Sequence, residues 1–184
     1  LGGPLKNAVI WDPFCGSGLE LIERALLGGV KIANGTDLSA EALAASEKNF
    51  AASDVTNTQM KLAHSDFRNF PSSRNANSVD LVITNPPLGK RVPIPNLRGL
   101  IEDLFEAADA VLKPGGKLVF ANPFNMENPH PRLKREMRQA VDFGGFECRV
   151  EVYVKTESRK SAPRTSGGKP GGMERFTGNR PRRR

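Results

Sequence analysis

From Ala8 onward, short apolar runs alternate with stretches whose apolar residues recur at helical spacing. That alternation restricts the chain to an α/β fold, a doubly wound and mostly parallel sheet of six or seven strands with helices on its faces. Ala8 to Trp11, Lys31 to Thr36, Met60 to Ala63, Val79 to Thr84 and Lys117 to Ala121 read as strands. Leu19 to Leu27 places Leu19, Ile22 and Leu26 on one helical face and stops at Gly28-Gly29, and Ser39 caps a second helix running to about Ala52. Leu97 to Leu112 is the next helix, closed by Lys113-Pro114-Gly115-Gly116. Pro131 to Val141 is expected to be a basic helix, and Phe146 to Lys155 a final strand.

At 184 residues the chain allows one domain with a real core, expected over residues 1–157. Its net charge of +7 is uneven. Residues 158–184 hold nine Lys or Arg against Glu174 alone, whereas residues 1–157 are nearly neutral. That last stretch, rich in Gly, Pro, Ser and Arg, reads as a basic, disordered tail, either a phosphate-attracting arm or a solubilising terminus. Cys15 and Cys148 form no CxxC, which argues against a zinc site and a disulfide scaffold and points to a reducing, cytoplasmic setting. No apolar run reaches membrane-spanning length and no signal peptide is evident. A start at Leu1, with the first strand within ten residues, suggests a piece of a longer protein.

Asp12-Pro13-Phe14-Cys15-Gly16-Ser17-Gly18 follows the first strand, and Asn85-Pro86-Pro87-Leu88-Gly89-Lys90-Arg91 follows the fourth. Loops at the carboxyl ends of neighbouring strands form the ligand crevice of an open α/β sheet. A dinucleotide fingerprint would need a third glycine where Leu21 stands, and the absence of a following GKS or GKT excludes a P-loop. What remains is a tight turn at Gly16 and Gly18 whose missing side chains let a ligand lie against the backbone. Asp12 is placed to accept hydrogen bonds from a cationic amino group. A carboxylate beside an ammonium and a sulfonium suits S-adenosylmethionine and would repel a phosphate. Asp37, at the end of the second strand, stands where a ribose-binding acid belongs, although an exposed loop aspartate is the plainer alternative. Asp66 is expected to accept from the adenine amino group with Phe67 flanking the ring, or else to be a simple turn acid. Phe14 and Leu38 complete the expected cofactor-binding set.

The second loop suits a planar nitrogen. The lone pair of an exocyclic amine is delocalised into its ring, and positive charge develops on nitrogen as it attacks a methyl group. Acceptors fixed in advance stabilise that charge. Asn85 offers a side-chain oxygen and Pro86 a backbone carbonyl, with the proline pair stiffening the turn. Neither a metal nor a covalent nucleophile is needed. A Pro-rich strand exit is the plain reading of Asn-Pro-Pro by itself; the paired loops favour an amine methyltransferase.

DPFCGSG followed by NPPLGKR resembles the RNA guanine-N2 methyltransferase family, whose members usually carry an N-terminal THUMP RNA-binding domain. The similarity runs roughly from Ala8 to Asn122. It implies a Rossmann-like class I methyltransferase domain that uses S-adenosylmethionine on structured RNA, tRNA or rRNA. By that resemblance Asp12, Gly16 and Gly18 line the cofactor pocket with Asp37 and Asp66, while Asn85 and Pro86 hold the target amine. Pro87, Leu88, Gly89, Lys90 and Arg91 would meet the substrate. Gly89 with its basic pair separates this branch from similar DNA-adenine and protein-glutamine methyltransferases. Leu88 departs from the pattern, since the family often has an aromatic residue there; an aliphatic side chain gives up stacking worth about 1–3 kcal/mol. Phe124 and Phe14 are the other candidate rings. A second departure is that no THUMP domain accompanies these motifs, so RNA targeting is expected to be incomplete.

Arg132, Lys134, Arg135 and Arg138 fall on the expected basic helix, and Lys90, Arg91 and Arg98 flank the second loop. They read as phosphate contacts or as a solvated helix face. Cys15 reads as a small buried residue, and no role is assigned to His64, His130 or Cys148. Two rival readings remain: an adenine-N6 methyltransferase on DNA or RNA, and a non-catalytic RNA-binding module with this fold. No membrane or metal partner is expected.

Overall fold

The structure, a computed structural model, describes residues 3–88, 94–126, 129–142 and 147–157. Gly89, Lys90, Arg91 and the basic stretch 158–184 lie outside the described residues. β1 (Ala8–Asp12), β2 (Val30–Asp37) and β3 (Gln59–His64) alternate with α1 (Leu19–Leu26) and α2 (Ala40–Ala52). β4 (Val79–Thr84) leads through α3 (Leu97–Val111) into β5 (Leu112–Asn122), followed by β6 (Leu133–Asp142) and β7 (Glu147–Lys155). Together the strands form a seven-stranded sheet in the order β3-β2-β1-β4-β5-β7-β6. β1 to β5 pair in parallel, and β7 runs against both β5 and β6. The order reverses direction between β1 and β4, which opens a crevice at their carboxyl ends.

Strand alternation distributes the core to two faces. Trp11, Val82, Leu118 and Phe120 turn to one side, where Ile101, Leu104, Phe105 and Val111 of α3 cover them. Their neighbours Ile10, Leu81 and Val119 turn to the other, against Leu21 and Ala25 of α1 and Leu43 of α2. Trp11, Phe105, Phe120 and Tyr153 are fully buried, each worth about 1.5–3 kcal/mol or more on area grounds. Local signals set the helix starts. Ser39 Oγ accepts from Ala42 N at 3.1 Å to cap α2, and Asn96 Oδ1 accepts from Gly99 N at 2.9 Å to cap α3. Among the described residues, no helix is long and apolar enough to cross a membrane.

The expected helix over Pro131 to Val141 is instead β6, the outermost strand, which pairs with β7 from Leu133 opposite Lys155 to Asp142 opposite Glu147. Leu133, Met137 and Val141 recur every four residues among good helix formers, so local pattern and propensity both point to a helix. A register shift between Arg135 and Met137 breaks the strand's period of two and hides its alternation. Partners supplied by β7 then outweigh propensity. Glu151, fully buried, takes Arg138 Nε at 3.2 Å and Arg135 Nη1 at 3.7 Å. These two arginines therefore do not stand free for phosphate.

The reversed β7 ends at the amino edge of the sheet. There Lys155 Nζ donates to Leu112 O and Asn77 Oδ1, each at 2.8 Å, and to Asp109 O. Asp109, also buried, pairs with Arg132. Burial lowers the Lys155 pKa, with the Asp109 charge working the other way.

Candidate functional site

The carboxyl ends of β1, β2, β3 and β4 surround a cleft of about 570 Å³. Phe14 enters it from the first loop, Asp37 and Leu38 from the second strand, Asp66 and Phe67 from the third, and Asn85 and Pro87 from the fourth. Residues separated by seventy positions in sequence thus meet in one concavity. Leu38 stands 71 % exposed beside it, an apolar surface on a strand exit. His64 Nε2 lies 2.9 Å from Leu38 O, tying the ends of β2 and β3 together.

Asp12 does not line the cleft; it lies fully buried beneath the loop. Its Oδ1 accepts from Phe14 N at 3.0 Å and from Thr84 Oγ1, while Oδ2 is buried with no hydrogen-bond partner. Burial pushes its carboxyl up to about 8, opposed by the Thr84 hydroxyl and raised further by the nearby Glu20 charge. Such a group is a ready partner for a cation that displaces its proton.

The two loop glycines have different reasons. A Cβ at Gly16, φ +49°, would meet nothing within 4 Å, so this backbone is open to a ligand. A Cβ at Gly18, φ +82°, would fall 2.2 Å from Ser46 Oγ of α2. Gly18 serves the close approach of the loop to that helix. Gly35, whose Cβ would meet Leu62 and Cys15 at 2.7 and 2.8 Å, has the same kind of role. Cys15 is buried, and desolvation lifts its thiol to about 12, leaving it unreactive.

Asp37 uses both oxygens on backbone: Oδ2 accepts from Gly16 N at 2.9 Å and Oδ1 from Ser39 N at 2.8 Å. Each oxygen keeps a second lone pair for a hydroxyl. Asp66 is engaged by Arg68 through its backbone N–H and Nη1, both at 2.9 Å, and Arg68 Nε reaches Asp103 at 2.8 Å. Phe67 is only 3 % exposed; its ring packs at 4.7 Å and 55° to Phe14, with the Arg68 guanidinium 4.8 Å above it. Phe14, half-buried, is the more accessible ring of the pair.

Asn85 is exposed at the rim, and its carboxamide makes no hydrogen bond to the described residues. Pro86 is buried beneath it, Pro87 lines the cleft, and Leu88 is half-buried. Sequence reasoning missed Thr84, whose hydroxyl ends a mostly apolar strand and reaches Asp12. It also missed Ile94 and Leu100, which close the cleft around the start of α3, and the buried Asn122–Glu151 pair at the end of β5. Polar side chains at the ends of apolar strands were the available signal. Among the described residues, no three His, Cys, Asp or Glu side chains converge as metal ligands.

The chain is 32 % identical over 156 residues to "Probable tRNA (guanine(10)-N2)-dimethyltransferase" of Methanothermococcus thermolithotrophicus, covering 83 % of this chain and 92 % of that one. It is 34 % identical over 117 residues to the ribosomal protein L11 methyltransferase of Teredinibacter turnerae, covering 64 % of this chain but 33 % of the relative. Among solved structures, TrmN from Thermus thermophilus superimposes with a TM-score of 0.68 at 26 % identity, over 84 % of this chain and 46 % of TrmN. The chain therefore spans most of the Methanothermococcus relative but less than half of the other two. The family described as "RMKL-like, methyltransferase domain" matches residues 1–149. With its strand order, cleft and paired loops, the chain belongs to that methyltransferase family.

Proposed function

We propose that this domain methylates the exocyclic amine of a base in structured RNA, guanine N2 in tRNA or rRNA, with S-adenosylmethionine as donor. The observation that carries the reading is the Asn85 carboxamide, without a hydrogen-bond partner among the described residues, at the rim of a cleft whose other strand ends bear Asp37 and Asp66. The Methanothermococcus relative, named for guanine N2 in tRNA, supports the choice of base and nucleic acid.

The cleft fits the cofactor on four counts. Gly16 leaves open space against the loop backbone. Asp37 keeps lone pairs for the ribose hydroxyls and Asp66 for the adenine amine, with Phe14 and Phe67 beside the ring. Leu38 gives the purine an apolar face. Asp12 Oδ2, buried and orphaned, is the polar atom that an ammonium would satisfy. When bound, the cofactor supplies an electrophilic methyl group on a sulfonium.

Asn85 Oδ1 and the Pro86 carbonyl accept the two amine hydrogens, turning the lone pair toward the methyl group and stabilising the charge that grows on nitrogen. Proline on both sides of the Pro86 carbonyl keeps the acceptors in place before the substrate arrives. The excess proton leaves to solvent once the product amine is cationic, so no histidine base is required. A base buried in a helical stem must leave its stack to reach this depth.

Transfer of labelled methyl groups into unmodified tRNA and rRNA transcripts, followed by nucleoside identification, tests the assignment. N2-methylguanosine is the expected product. N6-methyladenosine would replace guanine by adenine as the target, and no labelled nucleoside in either transcript would overturn the assignment.

A further inference from the structure

We propose that Phe124 is the ring on which the target nucleobase stacks, the place that Leu88 leaves without an aromatic face. This rests on the reading of the site as a base N-methyltransferase. The sheet order locates the target side. The groups that fit the cofactor rise from β1, β2 and β3, and Asn85 rises from β4. A methyl group delivered to an amine held at Asn85 comes from the β1 side, so the ring bearing that amine lies on the opposite side, over β5. Thr84 of β4 pairs with Phe120 of β5, and the two loops leave neighbouring strands at nearly the same level. Phe124 is two residues past the end of β5.

A second contact ties the ring to the cleft. The Arg98 guanidinium sits 5.4 Å from the Phe124 ring centroid. Arg98 lies in the first turn of α3, between Ile94 and Leu100, which both line the cleft. Phe124 is half-buried and packed against the core on the α3 side, and the exposed Arg98 beside it lies 3.9 Å from Glu102 Oε1. A guanidinium on an aromatic ring marks a surface that a nucleobase also suits, and Arg98 can then stay as a second stacking plane or turn to a phosphate.

The ring is also held with unusual investment for a loop. Phe124 N donates to Asn122 Oδ1 at 2.9 Å, and Asn122 Nδ2 donates to Glu151 Oε2 at 2.8 Å. Tyr153 OH donates to the same carboxylate oxygen at 2.9 Å. Arg138 Nη2 reaches Asn125 Oδ1 at 2.7 Å, and Arg135 Nη1 reaches Met126 O at 3.0 Å. Asn122 and Glu151 are both fully buried. Burying the Glu151 carboxylate in the middle of β7 costs desolvation that an apolar side chain would avoid. Here its effect is to fix the loop that carries Phe124.

The test measures cofactor affinity by calorimetry and steady-state methylation of unmodified tRNA and rRNA transcripts for wild type, F124A, F124L and F124Y. The Ala and Leu variants are expected to lose about 5- to 150-fold in kcat/KM for RNA, the range of one lost stack. Cofactor affinity should stay near wild type, and Tyr should restore most of the activity. Leu retains the packing bulk without a π face, so it decides the matter even where Ala fails to fold. F124L turning over like wild type, while N85A is inactive, would overturn the stacking role. Wild type that binds cofactor but labels no RNA would overturn the reading of the site, and this inference with it.

Discussion

Thr84 Oγ1 donates a hydrogen bond of 2.5 Å to Asp12 Oδ1, linking the last residue of β4 to the last residue of β1. One side chain immediately precedes the Asn85 loop and the other immediately precedes the glycine loop. The two halves of the site are therefore fastened to each other beneath the cleft, through a polar contact with no exposure at either end.

Thr84→Val removes the donor and keeps the shape. Asp12 would then rely on Phe14 N alone, and a loss of about 1–3 kcal/mol in unfolding free energy is expected. Thr84→Ser should recover most of it. Urea unfolding of the three proteins checks this, and equal midpoints for Val and wild type would show that the contact contributes nothing.

Asp12 makes stability depend on pH in a stated direction. Its folded value, about 8, lies above the 3.8 of an ordinary aspartate. The folded state holds the proton more tightly, so this contribution is fully present below 3.8 and is lost as pH rises through about 8. The slope is at most about 1.4 kcal/mol per pH unit over that window. Asp12→Asn abolishes it. The midpoint of wild type should fall relative to Asp12→Asn between pH 5 and 9; parallel curves would contradict the burial argument.

The same group should couple cofactor binding to a proton. Below about pH 8 the arriving ammonium displaces the proton from Asp12, so affinity for S-adenosylmethionine should rise with pH up to that value. Calorimetry in buffers of different ionisation enthalpy counts the proton released. A count of zero at pH 7 would place the ammonium elsewhere.

Asn85→Ala should lower turnover by about 10²- to 10³-fold, the usual cost of removing one preorganised polar group at a developing charge. Cofactor affinity should barely change, since Asn85 faces the target amine. Asn85→Asp keeps an acceptor oxygen at this position and should retain more activity than Ala. Comparable loss of cofactor binding and turnover in Asn85→Ala would instead make it a cofactor ligand.

Gly18→Ala and Gly16→Ala should separate packing from binding. Alanine at Gly18 meets Ser46 and a left-handed backbone, so thermal stability should fall by about 1–3 kcal/mol, with partial recovery in Gly18→Ala/Ser46→Gly. Alanine at Gly16 has room but the same unfavourable φ, and should weaken cofactor affinity more than stability. The reverse pattern would exchange the two roles.

How legible the molecule was depends on where each signal resides. β4 could be bounded to the residue because an apolar run between polar loops has no competing reading, and Ser39 announced its helix through a cap that acts within three residues. β6 was read as a helix because its own residues favour one; the pairing that decides it belongs to β7 and to the buried Glu151. The paired loops pointed to the crevice, yet nothing local could tell that Gly18 answers to Ser46, or that Asp12 sits below the cleft rather than in its wall. Those are facts about neighbours brought close by folding.

Because β7 runs against its neighbours, the chain leaves the sheet beside Leu112 and Asn77, at the end opposite the cleft. Lys155, held there by three oxygens, is thus anchored at the pole away from the cleft, so a change at Lys155 should register in unfolding and leave cofactor affinity untouched.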